Sequence, residues 1–340
     1  MFKNKNILIT GATGLIGSHL ANKLLEEKAN LILTGRNIKK LDDVFANNNN
    51  IQKIACDITV DLPNNLPELD YIFHAASPIS NDDVKNIPVD VIKSNIFGLI
   101  NCCEFLRNQK EKTGKSGKVI VFSSIAVYGL NSQSTDISLK EEEAYKANSL
   151  ELINSAYSES KRIIEVIAKS YHKQYNLETV IVRLSCVYGY TKFPPHTPFY
   201  EFINNALNDE NIVLFNPRIP KRDNIYVEDV VSGLLLIAEN GISGESYNLG
   251  SNGDEDNFRG MDELAYFVAD YINNKLDKNI RVIEPSDKKD RKPGIMLDNY
   301  KIKSLGWKVN TNIASGIEKT VQQYIDLVYK KQFSDKISIF

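Results

Sequence analysis

Short runs of consecutive apolar residues recur through the first half of the chain, at 7–9, 30–33, 51–56, 71–73, 118–122 and 179–183, and longer stretches with apolar residues at helical spacing lie between most of them. A continuous apolar run suits a strand buried on both faces, and strands alternating with helices specify a parallel sheet covered on both sides. The pattern therefore predicts an α/β fold, a doubly wound parallel sheet of the Rossmann type with right-handed crossovers. The first run leads at once into a turn holding Gly11, Gly14 and Gly17, and Leu15, Ile16, Leu20 and Leu24 then repeat at the spacing of a helix that starts inside the turn. The alternation ends after Tyr188, where YGYTKFPPHTPF brings three prolines and several aromatics, a composition suited to a loop entering a second lobe. A run at 245–249 predicts a strand returning to the sheet, and the chain beyond about Gly250 reads as helical with charged faces. The expected division is a dinucleotide-binding part over 1–188 with a returning segment at about 224–250, and a smaller, mainly C-terminal substrate lobe over 189–223 and 251–340.

A strand that turns through glycines into a helix presents unpaired N–H groups and the positive end of the helix dipole, which makes an anion site. At the first strand–helix junction of such a sheet, that site reads as the seat of a dinucleotide pyrophosphate. The second informative stretch is AYSESKRIIEV at 156–166, where Tyr157 and Lys161 stand one helical turn apart on the same face. Tyr188/Lys192 and Tyr271/Lys275 have the same spacing, but the first pair lies among glycine and proline and the second near the end of a remote C-terminal helix. Tyr157 alone follows a strand ending in FSSIAVYG, which sets the hydroxyls of Ser123 and Ser124 at the carboxyl edge of the sheet, where ligands bind. A phenol is a poor base at neutral pH, and the Lys161 ammonium together with an oxidised nicotinamide favours phenolate. Tyr157 can then take the proton of a substrate oxygen that Ser124 also holds while hydride leaves the adjoining carbon.

Composition narrows the partners. A net charge of −2 over 340 residues carries no polyanion-binding signature, so nucleic acid is not expected as a partner. The four cysteines, Cys56, Cys102, Cys103 and Cys186, make no CxxC pair and read as reduced thiols of a cytoplasmic protein. No signal-peptide core stands at the N-terminus, and the longest aliphatic run, 234–238, is far too short to span a bilayer. No membrane role is expected. His74 follows a buried strand and reads as a backbone-orienting residue, while His19, His172 and His196 are too scattered for a metal site.

The ordered motifs TGATGLIG at Thr10, CDIT at Cys56, HAAS at His74, SNIFG at Ser94, SSIAVYG at Ser123, YSESK at Tyr157, RLSCVYG at Arg183, RDNIYVEDV at Arg222, YNLGS at Tyr247 and LGW at Leu305 span nearly the whole chain. In them the chain resembles the extended short-chain dehydrogenase/reductases, specifically the nucleotide-sugar epimerase/dehydratase group. The resemblance implies an NAD(P)-dependent enzyme acting on a nucleotide-diphosphate sugar, with Ser124, Tyr157 and Lys161 as catalytic residues. It implies a cofactor lined by Gly11, Thr13, Gly14, Leu15, Ile16 and Gly17 at the pyrophosphate, with Arg36, Asp57 and Ile58 around the adenosine. Ala75, Ala76 and Ser77 would lie along the cofactor path with Ser123, Tyr157 and Lys161, and Asn95, counted with the cofactor residues, would be a structural helix residue near the active site. Arg222, together with Arg291 or Lys292, would grip the substrate diphosphate, since a guanidinium fork matches phosphate oxygens. A homodimer is implied as well, through two long helices at about 84–107 and 150–175 that offer Val91, Ile92, Ile96, Ile100, Ile163, Val166 and Ile167.

Departures from the family pattern refine these expectations. Where NAD-selective members carry an acid at the end of the second strand, this chain has Gly35 followed by Arg36, which favours the 2′-phosphate of NADP over NAD. Sugar dehydratases and decarboxylases place carboxylates between the catalytic hydroxyl residue and VYG, whereas Ile125 and Ala126 stand there. Plain hydride exchange at a sugar carbon, C4 foremost, remains: epimerisation through a keto intermediate, or one-way reduction or oxidation. Cys186 and Tyr190 replace the family's asparagine and proline, and the acidic stretch KEEEAYKANSLELIN would face the sugar. The reading from another class is a non-catalytic, dinucleotide-sensing binding protein that keeps the fold without turnover.

Overall fold

A computed structural model describes residues 1–46, 48–63, 65–78, 81–129, 135–215, 220–285, 291–330 and 339. Its centre is a seven-stranded sheet of β1 (Asn6–Thr10), β2 (Asn30–Gly35), β3 (Ile51–Ala55), β4 (Tyr71–His74), β5 (Lys118–Ser124), β6 (Glu178–Leu184) and β7 (Ser246–Leu249). The spatial order is β3-β2-β1-β4-β5-β6-β7 with every neighbouring pair parallel. The apolar runs are strands because alternate side chains feed two cores. Ile7, Ile9, Ile120 and Phe122 enter one, against Leu20 and Leu24 of helix Leu15–Glu26 and Leu234 of helix Val227–Asn240. Leu8, Val119 and Val121 enter the other, against Leu99 and Leu106 of helix Pro88–Thr113 and Ile164 of helix Ser155–Tyr175. Burial on both faces removes the need for polar alternation.

A third core belongs to the smaller lobe, where helices Pro198–Leu207, Met261–Leu276 and Ile313–Lys330 enclose Phe202, Ile203, Leu264, Val268, Ile317 and Val321. Beyond Gly250 the chain is not purely helical: Phe258–Arg259, Val282–Ile283 and Ile295–Leu297 are short strands. Two or three residues carry no period from which a strand can be read. The stretch Arg222–Tyr226 pairs with Cys186–Tyr188 and Phe258–Arg259 in a second sheet, so the chain returns to the central sheet only at β7. That second sheet stands at the carboxyl ends of β5 and β6, because Cys186–Tyr188 follows β6 after a single residue. The LGW motif ties the lobe back: the Trp307 indole donates to the Asp229 carbonyl in helix Val227–Asn240 at 3.1 Å. Among the described residues no helix is long and apolar enough to cross a membrane.

Candidate active site

The glycine turn is dictated by close backbone approach. Gly11 has φ +65°, and a Cβ there would come within 2.8 Å of both Cα and N of Ala76, two residues beyond β4. On Gly17 a Cβ would meet the Gly11 carbonyl at 2.5 Å. Any side chain at either position would push the helix off the turn. The first bond inside the helix runs from Ser18 N–H to the Gly14 carbonyl at 3.0 Å, so the N–H groups of Leu15, Ile16 and Gly17 precede it and face an anion from the helix terminus. These are the attributes a dinucleotide pyrophosphate requires, and the cradle fits it. Beneath the turn, Thr10 Oγ1 accepts the Ala76 N–H at 3.2 Å and lies 3.1 Å from His74 Nδ1. Burial draws the His74 imidazole down to about 3, with the Lys161 charge acting in the same sense, so the ring is neutral and serves the backbone.

One continuous cleft runs from this turn in both directions. Towards β2 and β3 it is lined by Thr13, Arg36, Asp57, Ile58 and Ala76. Towards β5 it is lined by Leu15, Ile16, Gly17, Ser123, Ser124, Tyr157 and Lys161. Gly11, Gly14, Ala75 and Ser77 border both halves. Arg36 is exposed at the lip, and the Asp57 carboxyl is held below the usual range chiefly by the Thr59 N–H and hydroxyl, with Arg36 contributing less. Phe193, Pro195 and Tyr200 of the smaller lobe also line the cleft. No motif in the sequence marks these three as site residues, and their proline- and aromatic-rich loop is the one signal that points to them.

Tyr157 and Lys161 come from the first two turns of helix Ser155–Tyr175, and Ser124 is the last residue of β5. Lys161 Nζ donates to the Phe122 carbonyl at 2.8 Å and lies 5.7 Å from the centre of the Tyr157 ring. Burial draws the Lys161 amine down to about 7, and it pushes the Tyr157 phenol up against the opposing effect of the Ser124 hydrogen bond. The carboxamide of Asn95 lies outside the cleft lining: Nδ2 donates to Ser160 Oγ at 2.8 Å, and Ser160 Oγ donates to the Tyr157 carbonyl at 2.8 Å. That chain fastens helix Ser155–Tyr175 to helix Pro88–Thr113.

Beyond Ser124 a second cavity opens between the sheets, lined by Ile125, Ala126, Asn154, Cys186, Arg222 and Lys292. Arg222 hydrogen-bonds the Cys186 thiol, whose pKa burial raises. Arg291 is engaged elsewhere, paired with Asp262 and 3.6 Å from Glu263 in the first turn of helix Met261–Leu276. Asp223 also lines the cavity but spends its carboxylate on the Ser251 hydroxyl and, at 3.0 Å, the Leu297 N–H; burial pushes it up to about 6. Asn148 and Asn154, both within the stretch expected to face the sugar, join the lining. The acidic run 141–143 is a short 3₁₀ turn in which Glu143 accepts the Lys140 N–H and Glu141 the Asn248 N–H, each at 2.8 Å. Among the described residues no group of three or more His, Cys, Asp or Glu side chains could hold a metal ion.

Fold and cleft together define a dinucleotide-dependent α/β enzyme class, and comparison with known proteins narrows it. The sequence profile of the NAD dependent epimerase/dehydratase family matches residues 7–250, and the chain belongs to this family. It is 31% identical over 327 residues to the UDP-glucuronic acid decarboxylase 5 of Arabidopsis thaliana, covering 92% of this chain and 87% of that protein. Among solved structures, the UDP-glucose 4-epimerase of Thermotoga maritima, determined with UDP-glucose, superposes with a TM-score of 0.76 at 24% identity, over 95% of this chain and 99% of that one. The UDP-N-acetylglucosamine 4-epimerase of Methanobrevibacter ruminantium, in complex with UDP-N-acetylmuramic acid, gives a TM-score of 0.79 at 24% identity, over 96% and 99%. At that identity the structural likeness speaks for the shared fold.

Proposed function

We propose that the protein exchanges hydride at a ring carbon of a nucleotide-diphosphate sugar, C4 foremost, as an epimerase or a 4-keto reductase/dehydrogenase. The observation that carries this reading is the meeting of Ser124, Tyr157 and Lys161 at the wall of the dinucleotide cleft, next to a cavity bordered by Arg222 and Lys292. A nicotinamide dinucleotide bound in the cleft supplies the hydride acceptor and donor. Ser124 and Tyr157 hold the oxygen on the reacting carbon, and Tyr157 takes or returns its proton. Lys161, when protonated, stabilises the phenolate that results. Arg222 and Lys292 meet the diphosphate, while Ile125 and Ala126 give the sugar an apolar wall. That wall argues against the decarboxylation named for the Arabidopsis relative, since neither residue supplies an acid or a base.

Three finer readings accompany it. Gly35 and Arg36 favour NADP, with Asp57 in the same half-cleft opposing a second phosphate. The exposed Ile92, Ile163 and Val166 on the two long helices support a homodimer, whereas Val91 is already buried within the chain. The four free cysteines suit the cytoplasm. Purified protein given a panel of nucleotide sugars and 4-keto sugars should yield an epimer or a change in nicotinamide absorbance; Tyr157→Phe performing like wild type would sink the proposal. Conversion of UDP-glucuronate to a UDP-pentose with release of CO₂ would replace it with decarboxylation. Absence of turnover alongside cofactor-dependent capture of a partner would favour the sensing protein. Mass spectrometry of the nucleotide extracted from the purified protein separates an epimerase, which can keep its cofactor, from a reductase, which must exchange it.

A further inference from the structure

Ser123 borders the nicotinamide half of the cleft, yet its hydroxyl donates to Glu165 Oε1 at 2.5 Å. Glu165 stands one turn beyond Lys161 on the catalytic helix and takes a two-pronged contact from Arg183, Nε to Oε1 at 2.9 Å and Nη2 to Oε2 at 2.7 Å. Arg183 is the cross-strand neighbour of Ser123 in β6. Its remaining nitrogen, Nη1, donates to the Tyr128 hydroxyl at 2.9 Å and to the Glu141 carbonyl at 2.7 Å. Tyr128 passes the chain on to Asn248 Oδ1 in β7 at 2.7 Å, and Asn248 Nδ2 donates to the Leu139 carbonyl in the second sheet at 2.9 Å. Arg183 and Glu165 are 4% and 7% exposed, so the pair carries a desolvation cost that an apolar pair of similar size would avoid. Stability gives no reason for charges here; a fixed geometry does.

We infer that Ser123, Glu165, Arg183 and Tyr128 form a positioning strut that sets the catalytic hydroxyl of Ser124 against the phenol of Tyr157. Ser124 lies between two strut members in the chain, Ser123 before it and Tyr128 at the end of the 3₁₀ turn Ile125–Tyr128 that Ser124 itself caps through the Ala126 N–H at 3.2 Å. Tyr157 and Lys161 share their helix with Glu165. The strut thus fixes the end of β5 against that helix, and a misplacement of a fraction of an ångström there weakens a reaction that needs both hydroxyls on one oxygen. The kinetic part rests on the hydride-exchange reading above. Ser123→Ala and Tyr128→Phe each delete one hydroxyl and are expected to lower kcat about tenfold, with KM for the nucleotide sugar and Kd for the cofactor within about twofold of wild type. The double variant should fall little below either single one, because both break the same unit, and Ser123→Thr should restore the rate. Values of kcat within twofold of wild type in folded single variants, losses that multiply in the double, or a rise in KM alone would overturn the strut. Crystal structures of wild type and Ser123→Ala test it without turnover: a lengthened Ser124–Tyr157 contact supports it, and an unchanged contact overturns it. A wild-type protein inert on every nucleotide sugar would count against the functional reading, leaving the crystallographic comparison to decide the strut.

Discussion

The cofactor preference turns on one charge, and its size follows from where Arg36 sits. The guanidinium is exposed at the lip of the cleft, so its attraction for a 2′-phosphate acts through water: about 1 kcal/mol per unit charge at contact distance, or roughly 2 kcal/mol for a phosphate near its dianionic form. Asp57 shares that half of the cleft and repels the same phosphate, which leaves the wild-type protein a net preference of about 1 kcal/mol, roughly fivefold. Arg36→Ala removes that attraction and leaves the repulsion in place, so it should weaken NADP(H) about thirtyfold and leave NAD(H) within about twofold, a gap that narrows as salt is raised and the Debye length shortens. Gly35→Asp should act in the opposite sense. The backbone at Gly35 is not left-handed, and the nearest atoms to a Cβ there are Leu41 Cγ at 3.7 Å and its methyls slightly further off, so a side chain can start there in ordinary van der Waals contact. It would repel the 2′-phosphate and offer the ribose of NAD an acceptor. Isothermal titration of both variants with both dinucleotides, at low and at high salt, decides the matter. Equal losses for NAD and NADP in Arg36→Ala would mean that the guanidinium stacks on adenine, and the preference for NADP would fall.

The other expectations are independent of that one. Tyr157→Phe should cut turnover by about a hundredfold or more while dinucleotide affinity stays near wild type, as steady-state rates and titration would reveal. Lys292→Ala should raise KM for the nucleotide sugar about tenfold without lowering the melting temperature, whereas Arg291→Ala should lower the melting temperature and spare KM, because its partners are Asp262 and Glu263. The Asp223 carboxyl titrates near 6 in the fold, above its ordinary 3.8. The native state therefore holds the extra proton between those values, and stability falls as pH rises from about 4 to 6. Asp223→Asn should accordingly gain up to about 3 kcal/mol above pH 7 in denaturant titrations, the gain shrinking as pH drops through 6. A dimer through the helix pair should halve to the monomer mass in light scattering when Val166→Glu is introduced.

Much of this protein was legible in the chain. Buried strands write themselves as unbroken apolar runs, so β1 to β7 could be located to within one or two residues, and Gly11 and Gly17 marked a turn whose backbone admits no side chain. The place of Tyr157, Lys161 and Ser124 along one cleft was legible because helical spacing is a local property and Ser124 stood at the end of a recognisable strand. Contacts between distant segments were not written there. Nothing in RLSCVYG announces that Arg183 closes on Glu165, or in DKKDRK that Arg291 turns to Asp262 while its neighbour Lys292 lines the cavity. Ser123 read as a cofactor residue, but packing turned its hydroxyl to Glu165, and the sequence could not foresee that a carboxylate from the next helix would arrive there. Local sequence specifies period, turn and cap through short-range sterics and hydrogen bonding. Which buried donor meets which acceptor depends on how the elements pack, since the loss of water leaves each buried group the partner that the fold brings within reach.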